Sequence, residues 1–260
     1  MRILHIGDIV GSPGRVAFGK IVPRLRDDEQ IDFIVVNGEN AAGGRGITPS
    51  ICDELFTVGA HVITLGDHAW DQKEIFAHIA VEPRLIRPAN FAPGCPGRGW
   101  VTVETPLGKV TVIALIGRVF LPPMDCPFRT VDAILKTGAD FGKVILVEIH
   151  AEATSEKIAI GRYLDGRVSS VAGTHTHVQT SDEAILPNGT AYITELGMTG
   201  PKDSVLGRDL PSVLEKFITG LPSRFEVAKN DVALEGIILQ VDEKTGKATK
   251  IKRIREKLTA

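Results

Sequence analysis

The sequence predicts an α/β fold. Short runs rich in β-branched residues recur along the chain, each ends in a polar, glycine-rich stretch, and most are followed by a helix-like segment. The composition is that of a globular protein, with 43% hydrophobic and 24% charged residues. We identify no repeat or linker in the 260 residues, a length close to the upper limit for one continuous core. We therefore expect a single domain over residues 1–260.

The first half of the chain predicts buried strands separated by helices. Three strands are expected at Ile3–Gly7, Asp32–Asn37 and His61–Leu65. Asp8–Gly14 is interpreted as a turn, and Arg15–Glu29 as a helix that Pro23 should kink or split. Thr48 followed by Pro49 is typical of an N-cap with proline at the first helical position, so another helix is expected to begin there.

The second half continues the alternation and then becomes rich in strands. Further strands are expected near 84–87, 101–104, 110–116, 144–149, 168–172, 191–194, 233–241 and 248–255. Helices are expected at 127–137, 154–164 and 210–218. A hairpin turn at 243–247 should join the last two strands, where apolar and polar residues alternate.

Charge and cysteine content narrow the function classes. With 30 Lys+Arg against 32 Asp+Glu, the chain has no basic excess, so we expect neither a stable nucleic-acid complex nor a polybasic membrane binder. No signal peptide or membrane-length apolar stretch is apparent. Cys52, Cys95 and Cys126 form no C-x-x-C pair, which argues against a disulfide scaffold and thiolate-bound zinc. A cytoplasmic location is expected.

Acidic, amide and imidazole side chains cluster at the carboxyl ends of five predicted strands. They are Asp8, Glu39, Asn40, Asp67, His68, His150, His175 and His177. In open α/β sheets, ligands bind outside these strand ends. Oxygen and nitrogen donors without thiolate suit Mn²⁺, Fe or Zn²⁺. Eight candidates are too many for one tetrahedral ion, so two metal ions sharing a bridging carboxylate are expected.

Each of these residues, taken alone, gives only weak support for a metal site. Asp8 could be an ordinary turn residue, and His150 could be a hydrogen-bonded structural histidine. The pair His175 and His177 is stronger, because side chains two residues apart on an extended segment project the same way. Arg45, in a glycine-rich loop, is either a phosphate contact or a solvated loop charge, and the sequence leaves both open.

Seven ordered segments together resemble a known family. They are GDIVG (7–11), NGENAAGG (37–44), LGDHAWD (65–71), RPANF (87–91), HAEATSEK (150–157), GTHTHVQT (173–180) and YITELGMTGP (192–201). Over residues 3 to 207 the chain resembles the YmdB-like bacterial metallophosphoesterases, a branch of the calcineurin-like superfamily. The resemblance implies a calcineurin-like metallophosphoesterase sandwich, with two packed mixed β-sheets flanked by helices.

The resemblance also implies a role for each site residue. Asp8 and His177 would bind one metal ion, with Asn40 as an additional donor. Glu39 would bridge the two ions. The second ion would be held by Asp67, His150 and His175. His68 would remain unligated beside the bridging site, as the catalytic general acid or as a donor to a phosphate oxygen.

Two positions depart from the wider superfamily. The first motif is usually D-x-H, but Val10 stands at the histidine position, and we expect Asn40 to replace that ligand. Asparagine usually precedes the catalytic histidine, whereas this chain has Asp67. Because ionised aspartate only accepts hydrogen bonds, Asp67 should hold metal more tightly and attract an anionic substrate less strongly than asparagine would.

The resemblance implies a dimetal phosphodiesterase that hydrolyses cyclic nucleotides, of the 2′,3′-cyclic type, the 3′,5′-cyclic type or both. A metal-bridging hydroxide would attack phosphorus, with Fe or Mn as the metals and Zn also compatible. The alternatives are a phosphomonoesterase and a low-turnover regulatory protein that senses a nucleotide. A metallo-hydrolase of C–N bonds fits less well, because its HxH motif usually follows the first strand. The oligomeric state stays open, a homo-oligomer included.

Overall fold

The computed structural model describes residues 1–259, which form fourteen strands and six helices. The strands are β1 (Arg2–Ile6), β2 (Asp8–Ile9), β3 (Phe33–Asn37), β4 (Val62–Thr64), β5 (Leu85–Ile86), β6 (Trp100–Thr105), β7 (Gly108–Ile116), β8 (Val144–His150), β9 (Ser170–Thr174), β10 (Ala184–Ile185), β11 (Ala191–Ile193), β12 (Met198–Pro201), β13 (Val232–Val241) and β14 (Ala248–Lys257). The helices are α1 (Gly11–Asp28), α2 (Pro49–Val58), α3 (Ile75–Val81), α4 (Pro127–Leu135), α5 (Thr154–Tyr163) and α6 (Leu210–Thr219).

The first sheet has the strand order β2-β12-β13-β1-β3-β4-β5, and β14 also pairs with β13. Strands β1, β3, β4 and β5 are parallel, whereas β13 is antiparallel to β1. Every residue of β3 is buried, as is typical of a parallel strand covered on both faces. The carboxyl ends of β1, β3 and β4 consequently lie at one edge.

The second sheet has the order β10-β11-β9-β8-β7-β6. Its four central strands are parallel, and the outer strands β6 and β10 are antiparallel to their neighbours. Both sheets are therefore mixed, as predicted.

Three buried layers hold the fold together. Between the two sheets, Val35 of β3 lies in one apolar cluster with Val112 of β7 and Leu146 of β8. Phe18 of α1 belongs to a second cluster, on the outer face of the first sheet. Ile160 of α5 belongs to a third, on the outer face of the second sheet. This arrangement is the predicted sandwich flanked by helices.

The predicted turn over Asp8–Gly14 is wrong. Asp8–Ile9 forms β2, which pairs in parallel with β12, and α1 already begins at Gly11. The partner strand lies far along the chain, so no local pattern could indicate this pairing. Helix α1 also continues through Pro23 to Asp28 and is not split.

The predicted start of α2 is confirmed. The Thr48 side chain accepts a hydrogen bond from the backbone N–H of Ile51, and Pro49 is the first helical residue. This cap ends the long loop that follows β3. Among the described residues, no helix combines the length and the apolar character needed to cross a membrane.

Candidate metal centre

The structure brings the predicted site residues together where the carboxyl ends of strands from both sheets meet. Asp8 lies in β2, Glu39 and Asn40 follow β3, Asp67 and His68 follow β4, His150 ends β8, and His175 and His177 follow β9. The site therefore lies between the sheets.

Four of these residues form a compact cluster. Ligand atoms of Glu39, Asp67, His150 and His175 all lie within 4.8 Å of one another. His150 Nε2 is at the centre, 2.9 Å from Asp67 Oδ1, 3.1 Å from Glu39 Oε1 and 3.0 Å from His175 Nδ1. Two carboxylates and two imidazoles converging in this way match the donor set that Zn²⁺, Mn²⁺ or Fe takes in proteins.

Three further donors lie against this cluster. Asp8 is fully buried; its Oδ2 accepts from the backbone N–H of His175 at 3.2 Å, whereas its Oδ1 has no hydrogen-bond partner. Asn40 Nδ2 lies 3.3 Å from His177 Nε2 and donates to Glu39 Oε1 at 3.1 Å. A buried carboxylate oxygen without a partner is costly unless a cation neutralises it. The residues present therefore fit a metal-binding site.

The electrostatics of the site reflect crowded, buried charges. Burial raises the pKa of Asp8 well above its usual range, and the charge of Glu39 adds to this. Burial would also raise the pKa of Asp67, but hydrogen bonds with His150 and His175 lower it below its ordinary value. Burial lowers the pKa of His177 to about 4. At neutral pH His177 is therefore uncharged, the form in which imidazole binds metal.

His68 lies beside the cluster rather than within it. Its Nε2 is 3.8 Å from Asp67 Oδ2, and its backbone N–H donates to Glu39 Oε2 at 3.3 Å. Its Nδ1 lies 3.1 Å from a carboxylate oxygen of Asp71, which sequence reasoning missed. Asp71 belongs to the motif LGDHAWD and lies three residues after His68. This spacing within a turn could have indicated that the two side chains meet. Asp71 therefore places a carboxylate beside the Nδ1 side of the imidazole.

The loop carrying His175 and His177 is strained and firmly held. Both histidines have positive φ, 95° and 63°, which is uncommon for residues other than glycine. Between them, the backbone N–H and hydroxyl of Thr176 donate to Glu195 Oε2, which also forms a fully buried ion pair with Lys157 at 2.6 Å. Neither Glu195 nor Lys157 was a predicted site residue, because only the fold brings them under this loop.

A further buried carboxylate, that of Glu148, lies beneath the site. Glu148 of β8 is bonded to His5 Nε2 at 2.9 Å, Asn37 Nδ2 at 2.7 Å and the Thr64 hydroxyl at 2.8 Å. The Thr174 hydroxyl bridges Glu148 Oε1, at 3.3 Å, and His150 Nδ1, at 2.9 Å. When this hydroxyl donates to Glu148, it accepts from His150 Nδ1, which leaves His150 Nε2 free to bind a cation.

Sequence comparison agrees with this geometry. Residues 4–254 match the model of the family described as YmdB-like protein. The chain belongs to the YmdB-like family. The resemblance inferred from the sequence motifs is thereby confirmed.

Individual relatives cover nearly the whole chain. The 2′,3′-cyclic-nucleotide 2′-phosphodiesterase of Bacillus subtilis (strain 168) is 51% identical over 98% of this chain and 96% of that protein. The crystal structure of a hypothetical protein from Thermus thermophilus has a TM-score of 0.93 at 40% identity, covering 99% of each chain. A structure described as a novel phosphatase from Mycoplasma pneumoniae has a TM-score of 0.93 at 33% identity, covering 99% of this chain and 93% of that one.

One glycine of the YmdB-like motifs is explained by close packing at the cluster. A Cβ atom at Gly66 would collide with the carboxylate of Glu39 and the ring of His150. Because the backbone of Gly66 passes so close, the ligand atoms can converge there. Position 66 therefore requires glycine, because there is no space for a side chain between its backbone and the side chains of Glu39 and His150.

A cavity of about 320 Å³ opens onto the donors, and we call it the metal-facing pocket. Glu39, Asn40, His68, His175 and His177 line one side of it. The other wall comes from the C-terminal region, through Val205, Leu206, Arg208, Val213, Phe217 and Phe225. Sequence reasoning missed this wall, because only Val213 and Phe217 lie in α6 and the other side chains come from the segments on either side of it, which carry no recognisable motif.

Proposed function

We propose that this protein is a metal-dependent phosphodiesterase that hydrolyses cyclic nucleotides, with 2′,3′-cyclic nucleotides as substrates. The observation that carries this proposal is the buried Asp8 carboxylate, whose Oδ1 lacks any partner beside a cluster of four converging ligands. The cyclic-nucleotide activity named for the B. subtilis relative supports the substrate class.

We assign seven residues to the metal ions. Asp8, Asn40 and His177 would hold one ion, Asp67, His150 and His175 would hold the other, and Glu39 would be shared between them. Fe or Mn fits this oxygen and nitrogen donor set, and Zn is compatible with it. Two bound divalent cations supply Lewis acidity towards the phosphoryl oxygens and lower the pKa of coordinated water.

His68 is the catalytic residue in this proposal. Asp71 Oδ2 lies 3.1 Å from Nδ1, which leaves Nε2 as the ring nitrogen for the substrate. When water adds to phosphorus and one ester P–O bond breaks, the leaving ester oxygen needs a proton. His68 Nε2 supplies that proton or a hydrogen bond.

A phosphomonoesterase is the second candidate, favoured by the description of the M. pneumoniae structure as a phosphatase. We also infer that residues 1–260 act as one domain, supported by the apolar cluster that both sheets share. A cytoplasmic location is supported by the three free cysteines.

Metal analysis combined with substrate comparison tests the proposal. Protein reconstituted with Mn²⁺ should hold about two ions per chain. It should hydrolyse adenosine 2′,3′-cyclic phosphate faster than the monoester adenosine 3′-phosphate. A preference for the monoester would support the second candidate, and no hydrolysis of any phosphodiester would overturn the enzyme assignment.

Two substitutions separate metal binding from proton donation. Asp8→Asn should lose metal and activity together, whereas the exposed control Asp28→Asn should lose neither. His68→Asn should keep its metal but lose activity about 10²–10⁴-fold, the usual contribution of a general acid. An unchanged rate in His68→Asn would contradict the proposed role of His68.

A further inference from the structure

A second cleft, of about 720 Å³, adjoins the metal-facing pocket. Four cationic side chains line it, those of Arg45, Arg208, Lys216 and Arg224, and we call it the cationic cleft. It shares His68, Arg208 and Phe225 with the metal-facing pocket, so these three residues line both spaces. Among residues 1–259, no aspartate or glutamate lines the cationic cleft.

Arg208 carries a positive charge that the surrounding protein does not neutralise. Its guanidinium donates to the backbone carbonyls of Gly43 and Gly44 rather than to a carboxylate. Burial lowers its pKa, and the nearby charge of Arg45 lowers it further. Two facing cations repel each other, and this repulsion is relieved when an anion lies between them.

The other cations are arranged around the same space. Lys216 of α6 places its Nζ 5.0 Å from the ring centroid of Phe225, which holds the ammonium in the cleft. Arg224 precedes Phe225 and is exposed. Arg45 Nε lies 3.1 Å from Asp71 Oδ2, so part of its charge is already compensated. Three cations therefore remain available to an anionic ligand.

We propose that the cationic cleft binds a second phosphate group of the substrate, on the 5′ side of the nucleotide whose cyclic phosphate reaches the metal centre. This inference rests on the proposed function. Because His68 lines both spaces, the next group of a substrate bound at the metal centre would lie in the cationic cleft. Arginine and lysine side chains without carboxylate partners are the groups that recognise phosphate. Two sources share this chemistry: a 5′-phosphorylated mononucleotide and the 3′ end of a longer oligonucleotide.

Three substrates test the proposal with metal-loaded protein. They are adenosine 2′,3′-cyclic phosphate, the same nucleotide carrying a 5′-phosphate, and the dinucleotide ApA ending in a 2′,3′-cyclic phosphate. The second phosphate should raise kcat/KM about tenfold, the effect of one or two charge-assisted contacts, mainly through a lower KM. The gain should shrink as salt is raised.

The pattern among the substrates identifies the source of the second phosphate. A gain with both phosphorylated substrates points to mononucleotides, and a gain with the dinucleotide alone points to oligonucleotide ends. A neutral methylphosphonate linkage in the dinucleotide should abolish its gain, whereas a retained gain would assign it to the extra base and overturn the proposal. Equal kcat/KM for all three substrates would overturn the proposal but leave the proposed function intact. Failure to hydrolyse any of them would instead overturn the proposed function.

Substitutions in the cleft provide the second line of the test. Lys216→Gln and Arg224→Gln change exposed side chains, and each should reduce the preference for the second phosphate severalfold. The double variant should nearly abolish it. The matched control Lys20→Gln, on the exposed face of α1, should retain the full preference. A double variant with an undiminished preference would overturn the proposal.

Discussion

Asp8 and Glu148 are both buried carboxylates, only 0% and 1% exposed, but their surroundings differ. Glu148 is bonded to a histidine ring, an asparagine amide and two threonine hydroxyls. Asp8 accepts one backbone hydrogen bond on Oδ2 and none on Oδ1. Polar groups of the protein thus compensate the buried charge of Glu148, whereas one oxygen of Asp8 has no hydrogen-bond donor.

This difference indicates what each carboxylate does. A buried charge surrounded by donors holds neighbouring strands in register and needs nothing from outside. A buried charge with an unpaired oxygen lowers stability unless a cation binds it. Glu148 is therefore structural, and Asp8 belongs to the metal centre. Their exposed fractions alone could not have distinguished the structural carboxylate from the metal-binding one, because both are almost zero.

The largest expected effect follows replacement of the compensated carboxylate. Glu148→Gln keeps the side-chain size but removes the charge, and its amide N–H₂ replaces a carboxylate oxygen that contacts two hydrogen-bonding groups. We expect a loss of about 3 kcal/mol in the free energy of unfolding, measured by urea denaturation with a chelator present.

The matched control for this change lies in the same sheet. Glu104 of β6 has a side chain that is 75% exposed, and Glu104→Gln should alter stability by about 0.5 kcal/mol or less. A similar small loss for Glu148→Gln would contradict the structural role of the buried network.

The uncompensated carboxylate should behave in the opposite way. In metal-free protein, Asp8→Asn should leave the free energy of unfolding unchanged or raise it by about 1 kcal/mol, because an unfavourable buried charge disappears. The stabilisation gained on adding Mn²⁺ should fall by about 2–3 kcal/mol, since a metal ligand is lost. Thermal unfolding with and without the metal measures both quantities. A large loss in the metal-free variant would show that Asp8 is structural too.

Much of the fold follows from local sequence patterns, and the exceptions have a common cause. The buried parallel strands and α2 are visible as apolar runs and a capping signal. Strand β2 was predicted as a turn, and β10 and β12 were not predicted at all. These strands have two to four residues and are stabilised by pairing with remote segments, so their own residues show no period. Helix α3, with seven residues, is too short for a clear helical pattern.

The candidate site divides in the same way. Its donors could be predicted because carboxylate, amide and imidazole side chains follow strands whose carboxyl ends meet. The groups that support them, such as Glu148, Glu195 and Asp71, could not be assigned roles in advance. They act through contacts between the two sheets or across a turn, which the sequence alone does not show. The role of Arg45 could not be predicted either, because its ion pair with Asp71 depends on how two loops meet.

The smallest effect is expected at the residue that joins the two buried carboxylate regions. Thr174→Val removes the hydroxyl between Glu148 and His150 Nδ1 at nearly constant volume. His150 then loses the partner that keeps Nε2 free for metal. We expect metal affinity to fall about tenfold, at the lower end for partners of metal ligands, and stability to fall by about 1 kcal/mol. Metal titration and urea denaturation measure the two changes.

Thr174→Ser restores the hydroxyl but not the methyl group, and so separates hydrogen bonding from packing. If the bridge orients His150, the serine variant should recover metal affinity while keeping part of the stability loss. If both variants lose affinity equally, the methyl group matters and the two carboxylate regions act independently. Recovery by serine would instead show that Glu148 sets the tautomer of His150 through the hydroxyl at position 174. The structural carboxylate would then control a ligand of the metal centre to which Asp8 belongs.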